Sequence, residues 1–181
     1  MDTLLHQMSE KEREEIIRYG IKRGVVIFIS TLITIMCGWF LGIVWQSVFL
    51  GVSFSVLRKY IGGYHSNTEK KCYVISFITV LTSLLGIKMI KCGGELGIAL
   101  QTICLVIVLL IAPVENVNHI LDKDERIKYG NKGRNTEILL YLIYVSLYFV
   151  NRRNISVAIG TANLIGTIFL VIGYIKIHKV K

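Results

Sequence analysis

"GVVIFISTLITIMCGWFLGIVWQSVFLGVSFSVL", residues 24–57, is a run of 34 residues without one Asp, Glu, Lys or Arg. Its length decides the fold. As a single helix it would be about 51 Å long, against a hydrocarbon core of about 30 Å. Two short helices with a turn near Gly38–Gly42 fit that thickness, with about 17 residues each. The other uncharged runs are Cys72–Ile87, Leu96–Val114, Ile138–Asn151 and Asn154–Ile175. Counting the hairpin as two, the chain has six candidate spans.

Charge placement selects the same count. Apolar residues make up 53% of the 181 and charged residues 18%, and the charges are bunched between the oily runs. That composition excludes an ordinary soluble domain. A formal charge of +9 could suggest nucleic acid, but its clustering reads as membrane orientation, and no nucleic-acid partner is expected. With six spans and both termini cytoplasmic, 17 of the 21 Lys and Arg fall inside and four outside. If residues 24–57 formed one span, the split would be nine to 12, which orients nothing. The shortest runs would rely on snorkelling side chains or local thinning of the bilayer.

The expectation is an all-α, polytopic integral membrane protein of six transmembrane helices, one membrane domain over 1–181. Its parts are an amphipathic interfacial helix over 1–23, the hairpin over 24–57 and a cytoplasmic loop over 58–71. Span 3 follows over 72–90, span 4 over 96–114, a second cytoplasmic loop over 115–135, span 5 over 136–151 and span 6 over 154–176. The N-terminal segment mixes charge with Leu4, Leu5, Met8, Ile16, Ile17 and Ile21, as an interfacial helix does. A solvated tail is the alternative. Those first 23 residues lack the uninterrupted apolar core of a cleavable signal peptide.

"RKYIGGYHSNTEKKCYVIS", residues 58–76, is the polar stretch that carries candidate chemistry. Cys72 stands where the third span opens, and a helix N-terminus favours an anion. Lys70 and Lys71 add positive charge beside it. Both effects raise the thiolate fraction of a cysteine. His65 is the nearest group that can exchange a proton near neutral pH. Gly62 and Gly63 permit a sharp bend before it. On one continuous helix seven residues rise about 10.5 Å, too far for a hydrogen bond, so a working pair requires the chain to fold back. A plain connector carrying a chance His and Cys is the competing reading. No metal or cofactor is expected: His119 is the only other inner-loop histidine beyond the N-terminal segment, and the four cysteines at 37, 72, 92 and 104 have no zinc spacing. Neither HExxH nor GxSxG occurs.

The stretch "RKYIGGYHSNTEKKC" resembles the signature of the accessory gene regulator protein B (AgrB) family, integral-membrane cysteine endopeptidases of Gram-positive bacteria. The likeness extends to chain length, the amphipathic start, six spans, and "APVENVNHILDKDERIK" as a second cytoplasmic loop. The resemblance implies a cell-membrane enzyme that processes an AgrD-like precursor signal peptide for quorum sensing. It implies Cys72 as nucleophile and His65 as general base, then acid. The precursor's C-terminal tail would leave, and the rest would remain as a thioester until an internal nucleophile closes a lactone or thiolactone ring. Arg58 falls in the matching motif. It would pair with the precursor's carboxylates or hold the loop; as a positive-inside anchor it would do neither.

Two other classes compete. A small peptide or solute transporter would place polar groups near the midplane of its spans. A scaffold for a sensor kinase would need no His–Cys pair. The bilayer is a partner in every case, and a homo-oligomer is left open. Cys37 and Cys104 read as packing residues within spans. Cys92 lies in an outer loop with nothing nearby to employ it. Asn163, inside the last span, reads as a hydrogen-bonding contact to a neighbouring helix. The charged residues of 115–135 read as a solvated loop, or as a grip on the precursor.

Overall fold

A computed structural model describes residues 10–63, 69–89, 95–114 and 123–180. Among them are six helices: α1 Glu10–Leu41, α2 Val44–Ile61, α3 Glu69–Met89, α4 Glu95–Ile111, α5 Lys123–Phe149 and α6 Arg153–Val180. No strand occurs among the described residues, and the all-α class holds.

The long uncharged run breaks at Gly42. Its φ is +74°, a conformation that costs a side-chain-bearing residue energy. The Ile43 N–H donates to the Gly38 carbonyl at 2.8 Å, and the Gly42 N–H to the Trp39 carbonyl at 3.0 Å. These two bonds form a Schellman motif, which satisfies the last carbonyls of α1 and reverses the chain at once. Asn151 closes α5 in the same way at φ 62°, with Arg152 N–H on the Leu147 carbonyl and Asn151 N–H on the Tyr148 carbonyl.

Two boundaries differ from expectation. α1 runs unbroken through Arg23 and Gly24, so residues 10–23 share an axis with the apolar segment that follows. No proline or cap interrupts that sequence, and a lone glycine costs a helix only about 1 kcal/mol. α5 begins at Lys123, well inside the loop expected over 115–135. Its first half is polar, and polarity alone does not stop a helix.

α6 is the axis of the bundle, packing against α2, α4, α5 and α3, while α1 packs on α2 and α3. The main core gathers Leu57, Ile61, Val108, Leu140, Tyr144, Ile159 and Leu170. Small residues on α6 allow close approach, as small residues do between helices in lipid. A Cβ on Gly160 would sit 2.8 Å from the Tyr144 ring. The outer surface is apolar, with Phe28, Trp39, Phe40 and Trp45 all more than 60% exposed. α6 is long and apolar enough to cross a membrane by length and composition, and Phe28–Leu41, Val74–Met89 and Glu95–Ile111 are shorter apolar segments.

Core packing predicts a sharp contrast between two leucines. Leu57 is fully buried and Leu96 is 82% exposed. Leu57→Ala is expected to cost about 2–5 kcal/mol, and Leu96→Ala at most about 0.5 kcal/mol. Unfolding midpoints of the detergent-solubilised variants test this, and equal losses would contradict the packing.

Candidate functional site

The end of α2 is where the signature residues begin. Gly62 follows its last residue at φ 73°, and Gly63 has φ 120°. The Val114 N–H donates to the Ile61 carbonyl at 3.0 Å, and Gly62 and Val114 form an isolated parallel bridge. A Cβ on Gly62 would collide with the Val114 carbonyl oxygen. One on Gly63 would lie 2.9 Å from the Phe169 carbonyl oxygen. Both glycines therefore meet two demands together: left-handed backbone and no room for a side chain. They let the chain leave α2 pressed between the end of α4 and α6.

Arg58, in the last turn of α2, is half-buried. Its guanidinium lies over two rings, 4.8 Å from the centre of Phe169 and 5.6 Å from that of Phe54. The two rings are 6.2 Å apart, so the cation spans the α2–α6 seam. Beside it the Lys59 and Lys132 ammonium groups lie 5.6 and 5.7 Å from the Tyr60 ring. Arg134 donates from Nη2 to the Ala112 carbonyl at 3.3 Å. This end of the bundle thus has a basic rim built from α2 and α5.

α3 begins at Glu69, which puts Cys72 in its first turn, next to the N–H groups that have no intrahelical acceptor. The side chains of Lys70, Lys71 and Cys72, and all of His65, lie outside the described residues. Cys37 and Cys104 are free thiols, the second buried. Among the described residues no three His, Cys, Asp or Glu side chains gather as metal ligands.

The described interior holds polar groups that sequence reading did not anticipate. Glu137 on α5 is fully buried, and neither carboxylate oxygen has a hydrogen-bond partner among the described residues. Asn163 was expected to bond a neighbouring helix. It is fully buried, yet both side-chain amide atoms are also without partners there. The signal for Glu137 was available: Gly130, Gly133, Glu137, Leu140 and Tyr144 repeat at helical spacing, and all five are buried.

The profile of the family described as Accessory gene regulator B matches residues 2–173. The chain belongs to the AgrB family. Two relatives come from Clostridium perfringens. "Putative AgrB-like protein 2" of strain 13 / Type A is 26% identical over 167 residues, 88% of this chain and 78% of its own. "Putative AgrB-like protein" of strain SM101 / Type A is 26% identical over 154 residues, 81% and 72% of the two chains. No solved structure matches. AgrB membership implies a membrane-associated protein involved in processing the peptide of an agr quorum-sensing system. Arg58, Gly62 and Gly63 are described residues of the stretch 58–76 and lie at the end of α2.

The end of α2 is expected to be intolerant at Gly62. Gly62→Ala should destabilise the protein by about 1–3 kcal/mol through strain and the Val114 clash. Gly20→Ala should be neutral or stabilise by up to about 1 kcal/mol, because Gly20 is helical and a Cβ there meets nothing within 4 Å. Thermal midpoints of the two variants check the pair.

Proposed function

We propose that this AgrB-family chain is a membrane cysteine endopeptidase that removes the C-terminal tail of an AgrD-like precursor peptide. The carrying observation is the order Arg58, Gly62, Gly63, His65, Cys72, with Cys72 in the first turn of α3. The Cys72 thiolate attacks the scissile carbonyl carbon, and backbone N–H groups of the first turn of α3 donate to the developing oxyanion. His65, which has taken the Cys72 thiol proton as general base, gives it to the departing amine as the C–N bond breaks. The precursor's N-terminal part stays on Cys72 Sγ as a thioester. A thiol or hydroxyl within the peptide then attacks that carbonyl as its proton passes to His65, the C–S bond breaks, and the ring closes as thiolactone or lactone.

Lys70, Lys71 and the helix terminus keep the sulfur anionic. Making a thioester from an amide is uphill, so the intermediate must be guarded from water. A site at the membrane boundary serves that need, and the internal nucleophile gains from high effective molarity. Arg58 and the two glycines hold the loop at its root.

The proposal includes six spans with both termini cytoplasmic. Charge placement supports it, with 17 of 21 Lys and Arg on the inner side. So does the meeting of residues 58–63 with 112–114 and 129–134 at one end of the bundle, through the Gly62–Val114 bridge and the Tyr60–Tyr129 ring contact. Cysteine labelling or reporter fusions at residues 23, 65, 92, 125, 152 and 181 test the topology. Positions 92 and 152 are expected outside and the others inside. Labelling of residue 65 only from outside would remove both topology and site.

Cys72→Ala and His65→Ala should each abolish nearly all cleavage, and the double variant should be hardly worse, because a catalytic unit is not additive. Replacing Cys37, Cys92 and Cys104 together by Ala should leave most of it. Mass spectrometry should find wild-type protein carrying the tail-less peptide on Cys72, released by neutral hydroxylamine. Cleavage by Cys72→Ala, or with no acyl-enzyme, would refute the mechanism.

A further inference from the structure

The buried face shared by α4, α5 and α6 contains more oxygen ligands than the fold uses. Glu137 lies one turn, about 6 Å, beyond Gly133 on α5, and Gly133 packs on Ile61. On α6, Gly166 packs on Leu57, one turn before Ile61. Glu137 therefore stands level with the 163–167 turn of α6. Cys104 of α4 ties the two together. Its thiol lies beside the Thr167 side chain and within electrostatic reach of Glu137. The Thr167 hydroxyl in turn donates to the Asn163 carbonyl at 2.8 Å.

Around that point the unpartnered atoms are Glu137 Oε1 and Oε2, and Asn163 Oδ1 and Nδ2. Gln101, one turn from Cys104, donates through Nε2 to the Gly160 carbonyl at 2.9 Å and leaves its Oε1 unpartnered. All three side chains are at least 96% buried. Leaving one buried polar group unsatisfied costs about 1–3 kcal/mol, and a bare carboxylate costs far more. Arg134, three residues earlier on the same helix, donates through Nη2 to the Ala112 carbonyl, while its buried Nε is unpartnered among the described residues.

We propose that Glu137 and Asn163 form a binding site for a partly hydrated alkali-metal cation inside the bundle. The donor chemistry selects the ligand class. Carboxylate and amide oxygens are hard ligands and suit hard cations. A single carboxylate neutralises one positive charge, so a divalent ion would leave an excess in an apolar interior. A water of the ion's shell would accept from Asn163 Nδ2, and a second would donate to Gln101 Oε1. A proton alone would neutralise Glu137 and leave the amide oxygens of Asn163 and Gln101 unmatched.

The test uses the full chain in detergent micelles, without any peptide, so its outcome is separate from that of the cleavage reading. Thermal midpoints are compared in sodium, potassium and choline chloride at equal ionic strength and pH. Sodium or potassium should raise the midpoint saturably above choline, as a ligand of the folded state does. Glu137→Gln should abolish that increment. Asn163→Ala should shift its half-saturation about tenfold or more to higher salt. Glu95→Gln, at an exposed position, should keep the wild-type response. Equal wild-type midpoints in all three salts would overturn the site, including in favour of a protonated carboxyl. So would a Glu137→Gln protein that keeps the increment. If Glu137→Gln does not fold, the wild-type comparison and Asn163→Ala decide alone, and an unshifted half-saturation in Asn163→Ala overturns the site.

Discussion

One hydrogen bond, from the Val114 N–H to the Ile61 carbonyl, joins the ends of two helices that are 50 residues apart in sequence. In an apolar surrounding, a helix end must find partners for its last carbonyls. α2 solves this by lending a carbonyl to the segment that follows α4. The solution works only if the two backbones touch, and they touch only because residues 62 and 63 lack side chains. Arg58 over Phe54 and Phe169 then secures the same junction to α6. The signature stretch and the core of the bundle are in this sense one construction. The residues that lead into His65 are those that close the packing.

Much of this was legible in the sequence because length is a hard constraint. A 34-residue uncharged run cannot be one span of ordinary thickness, and the chain does reverse at Gly42, next to the proposed turn. Helix starts were less legible. Lys123 opens α5 within a charged stretch that looked like loop, since charge marks solvent contact and not backbone state. Arg23 and Gly24 looked like a boundary for the same reason, yet α1 continues through them. For the site, residue types and their order carried the reading of Cys72, and the structure adds its place in the first turn of α3. The tight fit of Gly62 against Val114 was not legible, because the contact is between residues far apart in the chain.

Glu137 and Asn163 show a different limit. Composition ranks a lone acidic residue at the edge of an apolar run as a boundary marker. The spacing of Gly130, Gly133, Glu137, Leu140 and Tyr144 marks one face of α5, and the packing of α4, α5 and α6 shows that this face is the interior one. The family relation bears on peptide processing and leaves this interior unaddressed. Ionisable groups in such positions are costly to keep, which is why they are read as functional before they are read as structural.

The connections between helices are unequal, and this has a mechanical consequence. Leu41 to Val44, Met89 to Glu95 and Phe149 to Arg153 are joined by two, five and three residues. Ile61 to Glu69 and Ile111 to Lys123 are joined by seven and 11. Two of the short links are Schellman reversals with no slack, so each ties its helix pair together at one end. Their tips lie at the end that carries Gly62 and the basic rim. The bond between Val114 and Ile61 pins the tip of the first pair to the segment after α4, so the chain that leads toward His65 and Cys72 leaves from an anchored point and not from a free helix end.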